Sequence, residues 1–157
     1  MDLSKKKIIF LDVDGVIATP QQMASYAKTH GGHCGPGYSQ IDLSCVNVLD
    51  MIVEKLDALV VISSVWRLRR DDMYDLMTVL GNAGIPVVGM TPHLCSEAGR
   101  QMDIAEYCDV HRIPYNHVLV IDDDEADLQN FKPRLLKPSR QYGLQLEDVE
   151  KAIAIMS

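Results

Sequence analysis

A parallel α/β sheet covered by helices on both faces is the fold this sequence predicts, and three observations predict it. Short stretches at 7–13, 58–62, 85–90 and 118–121 are apolar at consecutive positions; strands buried on both faces read this way, whereas half-exposed antiparallel strands alternate. Segments with apolar residues at helical spacing lie between these stretches, which is the pattern of strand–helix–strand units. Three of the stretches also run into small polar or acidic residues: Asp12 and Asp14, Ser63 and Ser64, and Asp122 to Asp124. Ligands of open parallel sheets bind beyond the carboxyl ends of the strands, where these residues fall.

The elements follow in order. The first strand, 7–13, ends in Asp12-Val13-Asp14-Gly15. Residues 16–41 show no period and hold Gly31, Gly32, Gly35, Pro36 and Gly37, so they are expected to form a long loop or small flap. Val46, Leu49, Ile52, Val53 and Leu56 then mark a helix over 43–56, with Asp42 or Ser44 as its cap. The second strand, 58–62, breaks at Ser63-Ser64. A helix over 70–80 ends at Gly81-Asn82-Ala83-Gly84, and 85–90 is the third strand. Ser96 can cap a helix running to about Val110, with Glu97 in its first turn where the helix dipole favours an acid. The fourth strand is 118–121, a short helix covers 125–131, a weak strand lies at Leu135-Leu136, and a helix over 148–156 closes the chain.

Composition narrows the function. The 157 residues, 47% of them apolar, suit one folded domain, taken here as 1–157. A net charge of −7 argues against an extended footprint on duplex nucleic acid, while leaving room for a small basic pocket on a single phosphate. No apolar run is long enough to span a membrane. Lys5-Lys6-Lys7 before Ile8-Ile9-Phe10-Leu11 imitates a signal peptide, but the apolar stretch stops at Asp12. The expectation is a soluble, cytoplasmic protein of oligomeric state the sequence does not set. Cys34, Cys45, Cys95 and Cys108 form no C-x-x-C pair, so free thiols are expected, with Cys45 and Cys108 as small core residues. His30, His33 and Cys34 could hold zinc with Cys45, but their spacing matches no common structural zinc site; a Gly-rich loop is the expectation.

Acids converging on one sheet edge repel unless a cation sits among them. Two unit charges 4 Å apart at an effective dielectric near 20 interact with about 4 kcal/mol. Hard oxygen donors with open positions suit Mg²⁺. Asp12 and Asp14, two apart on a strand, point to one face and can reach one substrate; Gly15 permits a backbone conformation other residues resist. One carboxylate can attack phosphorus while the other handles the leaving-group proton.

The segment IIFLDVDGVI (8–17) resembles the first motif of the haloacid dehalogenase superfamily of aspartate-nucleophile phosphatases, VVISS (60–64) its second and VLVIDDD (118–124) its fourth. SSVWR (63–67) with GLQLEDVEKAI (143–153) resembles a narrower branch, the haloacid-dehalogenase-like domain of the Swiss Army Knife RNA repair group. The resemblance implies a three-layer Rossmann-like fold with a minimal cap, Asp12 as nucleophile, and Asp14 as acid/base with its carbonyl on the metal. It also implies Ser63, or Ser64 if the register shifts, on the phosphoryl oxygens. A basic third-motif residue should precede the fourth motif. No lysine lies between Lys55 and Lys132 and Arg112 is too close, so Arg100, 22 residues before Asp122, is the choice that the family's motif spacing implies. Asp123 is the expected metal ligand, with Asp122 or Asp127 holding the cation or Arg100.

Beside the motif serines, Arg67 offers a guanidinium fork suited to phosphate, Gly15 is a further substrate-binding candidate, Trp66 is read as packing, and Arg69 and Arg70 as a solvated helix start. Gln145 stands where the branch leads one to expect a helix-capping Thr, so the last helix should be weaker there.

With only 16–41 as cover, the site should take an accessible phosphate, on a nucleotide, an RNA or DNA end, or a protein. By resemblance that phosphate belongs to a nucleotide or a nucleic-acid end, gripped over a short contact. The expected activity is a Mg²⁺-dependent phosphomonoesterase acting through an aspartyl-phosphate. The alternative is a non-catalytic phosphate- or nucleotide-binding module of the same fold. A receiver-type switch would leave Asp-Val-Asp-Gly unexplained.

Overall fold

The computed structural model describes residues 1–33 and 35–157. Five parallel strands, β1 (Lys7–Leu11), β2 (Ala58–Ile62), β3 (Val87–Met90), β4 (Val118–Ile121) and β5 (Leu135–Leu136), form one sheet in the order β3-β2-β1-β4-β5. Strand order reverses at β1, which lies between β2 and β4, so the carboxyl end of β1 opens on the crevice where such sheets bind ligands.

Strand periodicity distributes the core. Ile9, Leu11, Val60, Ile62, Leu119 and Ile121 point to one face and pack on α2 (Leu43–Leu56), α3 (Arg70–Asn82) and α5 (Glu147–Met156). Ile8, Phe10, Val61, Val118 and Val120 point to the other face and pack on α4 (Arg100–His111) and Phe131. The result is the expected three-layer Rossmann-like fold. Cys45 and Cys108 are buried in these two layers, and burial pushes both thiols up to about 12, so they stay protonated. The zinc reading set aside above involves Cys34, which lies outside the described residues. No helix among the described residues is long and apolar enough to cross a membrane.

Several boundaries depart from expectation. The 16–41 segment contains a ten-residue helix, α1 (Pro20–Thr29), that buries none of its residues. It has no apolar stripe to betray it. Thr19 accepts from the Gln22 N–H at 3.1 Å and Pro20 occupies the first turn, a start signal present in the sequence. An antiparallel bridge between Ala18 and Ile41 brings the two ends of the segment together. Helix α4 starts at Arg100, because Gly99 has φ +70° and interrupts the chain before it; Ser96 caps only a turn, accepting from Ala98 N–H. The 125–131 helix is instead a 3-10 segment, Gln129–Arg134.

The last helix shows half of a capping box. Asp148 reaches back to accept from the Gln145 N–H at 2.8 Å, but no side chain caps the first helical N–H groups. Gln145 Nε2 donates instead to the carbonyls of Tyr142 and Leu144. Gln145→Thr completes the box and should raise stability by about 0.5–1 kcal/mol, read as a higher midpoint in a urea or thermal melt.

Candidate active site

The sheet ladder continues one residue past the strands and fixes the site backbone. Asp12 N–H donates to Ile121 O, Ser63 N–H to Leu11 O and Asp122 N–H to Leu136 O, at 2.9, 3.0 and 3.2 Å. The Val13 carbonyl then accepts from Val16, Ile17 and Ala18, winding the chain into a tight loop with Gly15 at φ +75°. A Cβ on Gly15 would overlap the Asp123 side chain. Glycine is therefore required there twice, for its backbone angle and for the close approach of Asp123.

Carboxylate oxygens of Asp12, Asp122 and Asp123 lie within 4.8 Å of one another. Burial first, and next the Asp122 charge, push the Asp12 carboxyl up to about 8. Burial also raises Asp122, against the opposing pull of Arg100. The two acids titrate together, and because Asp122 is ion-paired to Arg100, the retained proton belongs on Asp12. Three hard oxygen donors converging within 4.8 Å of one another fit a divalent cation of the Mg²⁺ type.

Arg100 Nη1 is paired with Asp122, and its Nη2 donates to the carbonyls of Asp124 and Ala126 at 3.0 and 2.7 Å. These bonds aim the guanidinium into an open cleft of about 470 Å³, whose walls include Asp12, Asp14, Gly15, Met23, Arg100 and Asp123. Asp14 stands outside the three-carboxylate group. Its Oδ1 accepts from Trp66 Nε1 at 3.0 Å, and Trp66 is itself buried. Packing was the expectation for Trp66; its indole N–H adds a fixed orientation for Asp14.

The serines separate. Ser64 Oγ accepts from Trp66 N–H at 3.2 Å and starts the 3-10 turn Val65–Leu68. Ser63 lies one residue beyond β2, beside Asp12 in the ladder, and its hydroxyl makes no bond among the described residues. Asp127 sits against Gly99 at the start of α4, away from the carboxylate group.

Two expectations need correction. The Arg67 side chain is only 3% exposed. Its Nε donates to Thr91 O, its Nη1 to Ser63 O and Ser64 O, and its Nη2 to Pro92 O and the Asp103 carboxylate. All five donors are spent, so none remains for phosphate. Arg67 instead clamps the backbone that carries the serines. Gly15 lines the cleft, yet its N–H donates to Ala18 O at 2.8 Å, so it shapes the site without binding substrate through that donor.

Sequence reasoning missed Arg140, which lines the cleft and holds Asp123 at 2.6 Å through Nε. Nothing in a motif flags it. Its place in the loop after a parallel strand, at the carboxyl edge of the sheet, is the signal that could have found it.

Residues 8–149 match the model of the HAD domain in Swiss Army Knife RNA repair proteins. The chain belongs to this family. Membership agrees with the motif resemblance and supports a phosphatase-type hydrolase activity in general terms. A solved hydrolase of the haloacid dehalogenase-like family from Streptococcus pneumoniae shares the fold at 14% identity, with a TM-score of 0.51 over 94% of this chain and 90% of that one. No protein with a curated description matches.

Within this HAD domain the Trp66–Asp14 bond is open to test. Trp66→Phe keeps an aromatic ring, at some loss of volume, but removes the donor; if Asp14 acts in catalysis, kcat should fall about tenfold with KM nearly unchanged. A circular dichroism melt checks that the fold survives.

Proposed function

We propose that this HAD domain is a Mg²⁺-dependent phosphomonoesterase that works through an aspartyl-phosphate, on the terminal phosphate of a nucleotide or a nucleic-acid end. The observation that carries the reading is the convergence of Asp12, Asp122 and Asp123 within 4.8 Å beside a cleft that Asp14 and Arg100 also line.

Asp12, Asp122, Asp123 and the Asp14 carbonyl are the groups that would hold Mg²⁺. Bound there, the ion would offset the negative charge that gathers around the transferring phosphoryl group. The Asp12 carboxylate attacks phosphorus, forming an Asp12 O–P bond as the ester P–O bond breaks. Asp14 gives its proton to the departing oxygen. In the second half, Asp14 takes a proton from water, the water oxygen bonds to phosphorus, and the Asp12 O–P bond breaks. Arg100, fixed by Asp122 and two carbonyls, offers its remaining N–H groups to the phosphoryl oxygens, and Ser63 offers its hydroxyl. The Trp66 bond keeps Asp14 turned toward the cleft, so one carboxyl group serves as acid and then as base.

Among the described residues the cover is a single exposed helix, α1, which supplies Pro20 and Met23 to one wall. An open cleft of this kind admits a phosphate on the end of a larger molecule. The family's occurrence in RNA repair proteins favours nucleic-acid ends over small metabolites. With a net charge of −7, contact with a polynucleotide stays short.

The test is phosphate release from a panel of 3′- and 5′-phosphorylated nucleotides and oligonucleotides, with p-nitrophenyl phosphate as a reference, with Mg²⁺ and with chelator. Release that requires Mg²⁺ is expected. A flat response with every divalent metal would favour the binding-module alternative.

A further inference from the structure

Arg140 sits where a phosphate-binding cation would be useful, yet it is occupied otherwise. It rides on a tight turn closed by the Ser139–Gly143 bridge, in which Gly143 N–H donates to Ser139 O. That turn is anchored to the loop after β1. Leu144 N–H donates to Val16 O at 2.9 Å, and Gly143 packs so closely on the Val16 carbonyl that a Cβ would overlap it. The backbone of the turn is thus fixed relative to Asp12 and Gly15, while the Arg140 side chain, 67% exposed, is free to move.

The two arginines of the cleft differ in what binds them. Arg100 is immobilised by Asp122 and two carbonyls. Arg140 makes one bond, Nε to Asp123 Oδ2, and among the described residues its Nη1 and Nη2 donate to nothing else. Asp123 is also one of the three carboxylates that can hold a metal ion. The Arg140 end of this pair is 67% exposed although Asp123 is 10% exposed, and a single hydrogen bond holds it, so a doubly charged cation on the carboxylate competes with the guanidinium.

We propose that Arg140 is a substrate-phosphate-binding residue, held on Asp123 until a divalent cation takes that carboxylate and frees the guanidinium for the incoming phosphate. The assignment rests on the phosphatase reading above. It makes metal binding and phosphate binding linked events, coupled through one side chain. Metal loading removes the partner that occupies Arg140, and the released fork suits bidentate contact with phosphoryl oxygens. In the metal-free protein, Arg140 supplies part of the positive charge that the acids otherwise lack.

The experiment is calorimetry on the full chain: Mg²⁺ alone first, then inorganic phosphate at saturating Mg²⁺. Wild type is compared with Arg140→Ala, and with Lys137→Ala, which removes a charge from the same loop without touching Asp123. Arg140→Ala should bind Mg²⁺ about twofold to fivefold more tightly, because a competitor is gone. The same variant should bind phosphate about tenfold more weakly, because a charged donor is gone. Lys137→Ala should leave both affinities within about twofold of wild type. These opposite changes in one variant are not expected of a residue with a merely structural role. Unchanged phosphate affinity in Arg140→Ala, or Mg²⁺ affinity that is unchanged or lower, overturns the proposal while leaving the phosphatase reading standing. Equal effects from Lys137→Ala also overturn it, since a general field would then explain both. A wild type that takes up no Mg²⁺ overturns the phosphatase reading, and this inference with it.

Discussion

Asp12→Asn is expected to abolish turnover while making the metal-free protein more stable at neutral and alkaline pH. The first effect follows from the proposed role of Asp12 as nucleophile: an amide cannot form the acyl-phosphate bond, so hydrolysis should drop by at least about 10⁴-fold. The second follows from burial and the Asp122 charge, which push the Asp12 carboxyl up to about 8. In the unfolded chain this acid ionises near pH 4. Between about pH 4 and 8 the unfolded state therefore binds fewer protons at this site than the folded state does. Stability falls as pH rises through that window, and the loss is complete above about 8. With about 1.4 kcal/mol for each tenfold change in proton affinity, the cost is on the order of a few kcal/mol. Asparagine does not titrate, so the variant should lack this slope. Urea melts of both proteins in chelator at pH 5, 7 and 8.5 measure it. Melting curves that stay parallel across the range would show that residue 12 retains no proton. Saturating Mg²⁺ should restore the wild type, by about 2.7 kcal/mol at a hundredfold excess over Kd, and should do much less for the variant.

Gly15→Ala should be nearly as severe by a different route. At φ +75° an L side chain costs about 1–2 kcal/mol in backbone strain. The added methyl would also meet the Asp123 carboxylate, whose Oδ2 is the same oxygen that accepts from Arg140 Nε. Either the loop after β1 or Asp123 must shift. A misplacement near 1 Å costs about a hundredfold in rate, so kcat/KM should fall at least that far, with a lower melting midpoint and weaker Mg²⁺ uptake. The combined loss separates this variant from Asp12→Asn, in which turnover and stability move in opposite directions.

Legibility in the sequence tracked the strength of the physical signal. Helix α2 and strands β2 and β4 lie where their apolar spacing put them, because burial against a sheet writes a period into the chain. Helix α1 buries nothing and wrote no period, though Thr19-Pro20 announced its start. The onset of α4 was misread because Ser96 looks like a cap, while the decisive residue was Gly99 three positions later.

In the site, residues that had to sit at strand ends were readable: Asp12, Ser63 and Asp122 are all held by the ladder. Arg67 was misjudged because a guanidinium fork fits carbonyl oxygens as well as it fits phosphate, and only tertiary structure shows which it meets. Arg140 was invisible for the converse reason. Its position depends on a turn pinned to a loop more than a hundred residues earlier, a contact that no local pattern encodes.

The proposed covalent step on Asp12 is tested most directly in Asp14→Asn, with p-nitrophenyl phosphate and Mg²⁺. Nitrophenolate leaves without help from an acid, but breakdown of the acyl-phosphate needs the base. The variant should therefore release one nitrophenolate per protein molecule in a rapid burst and then stall, and acid quenching with peptide mass spectrometry should find the phosphoryl group on Asp12. A wild type that hydrolyses the ester while the variant shows neither burst nor adduct, or carries the phosphoryl group on another residue, would contradict the account.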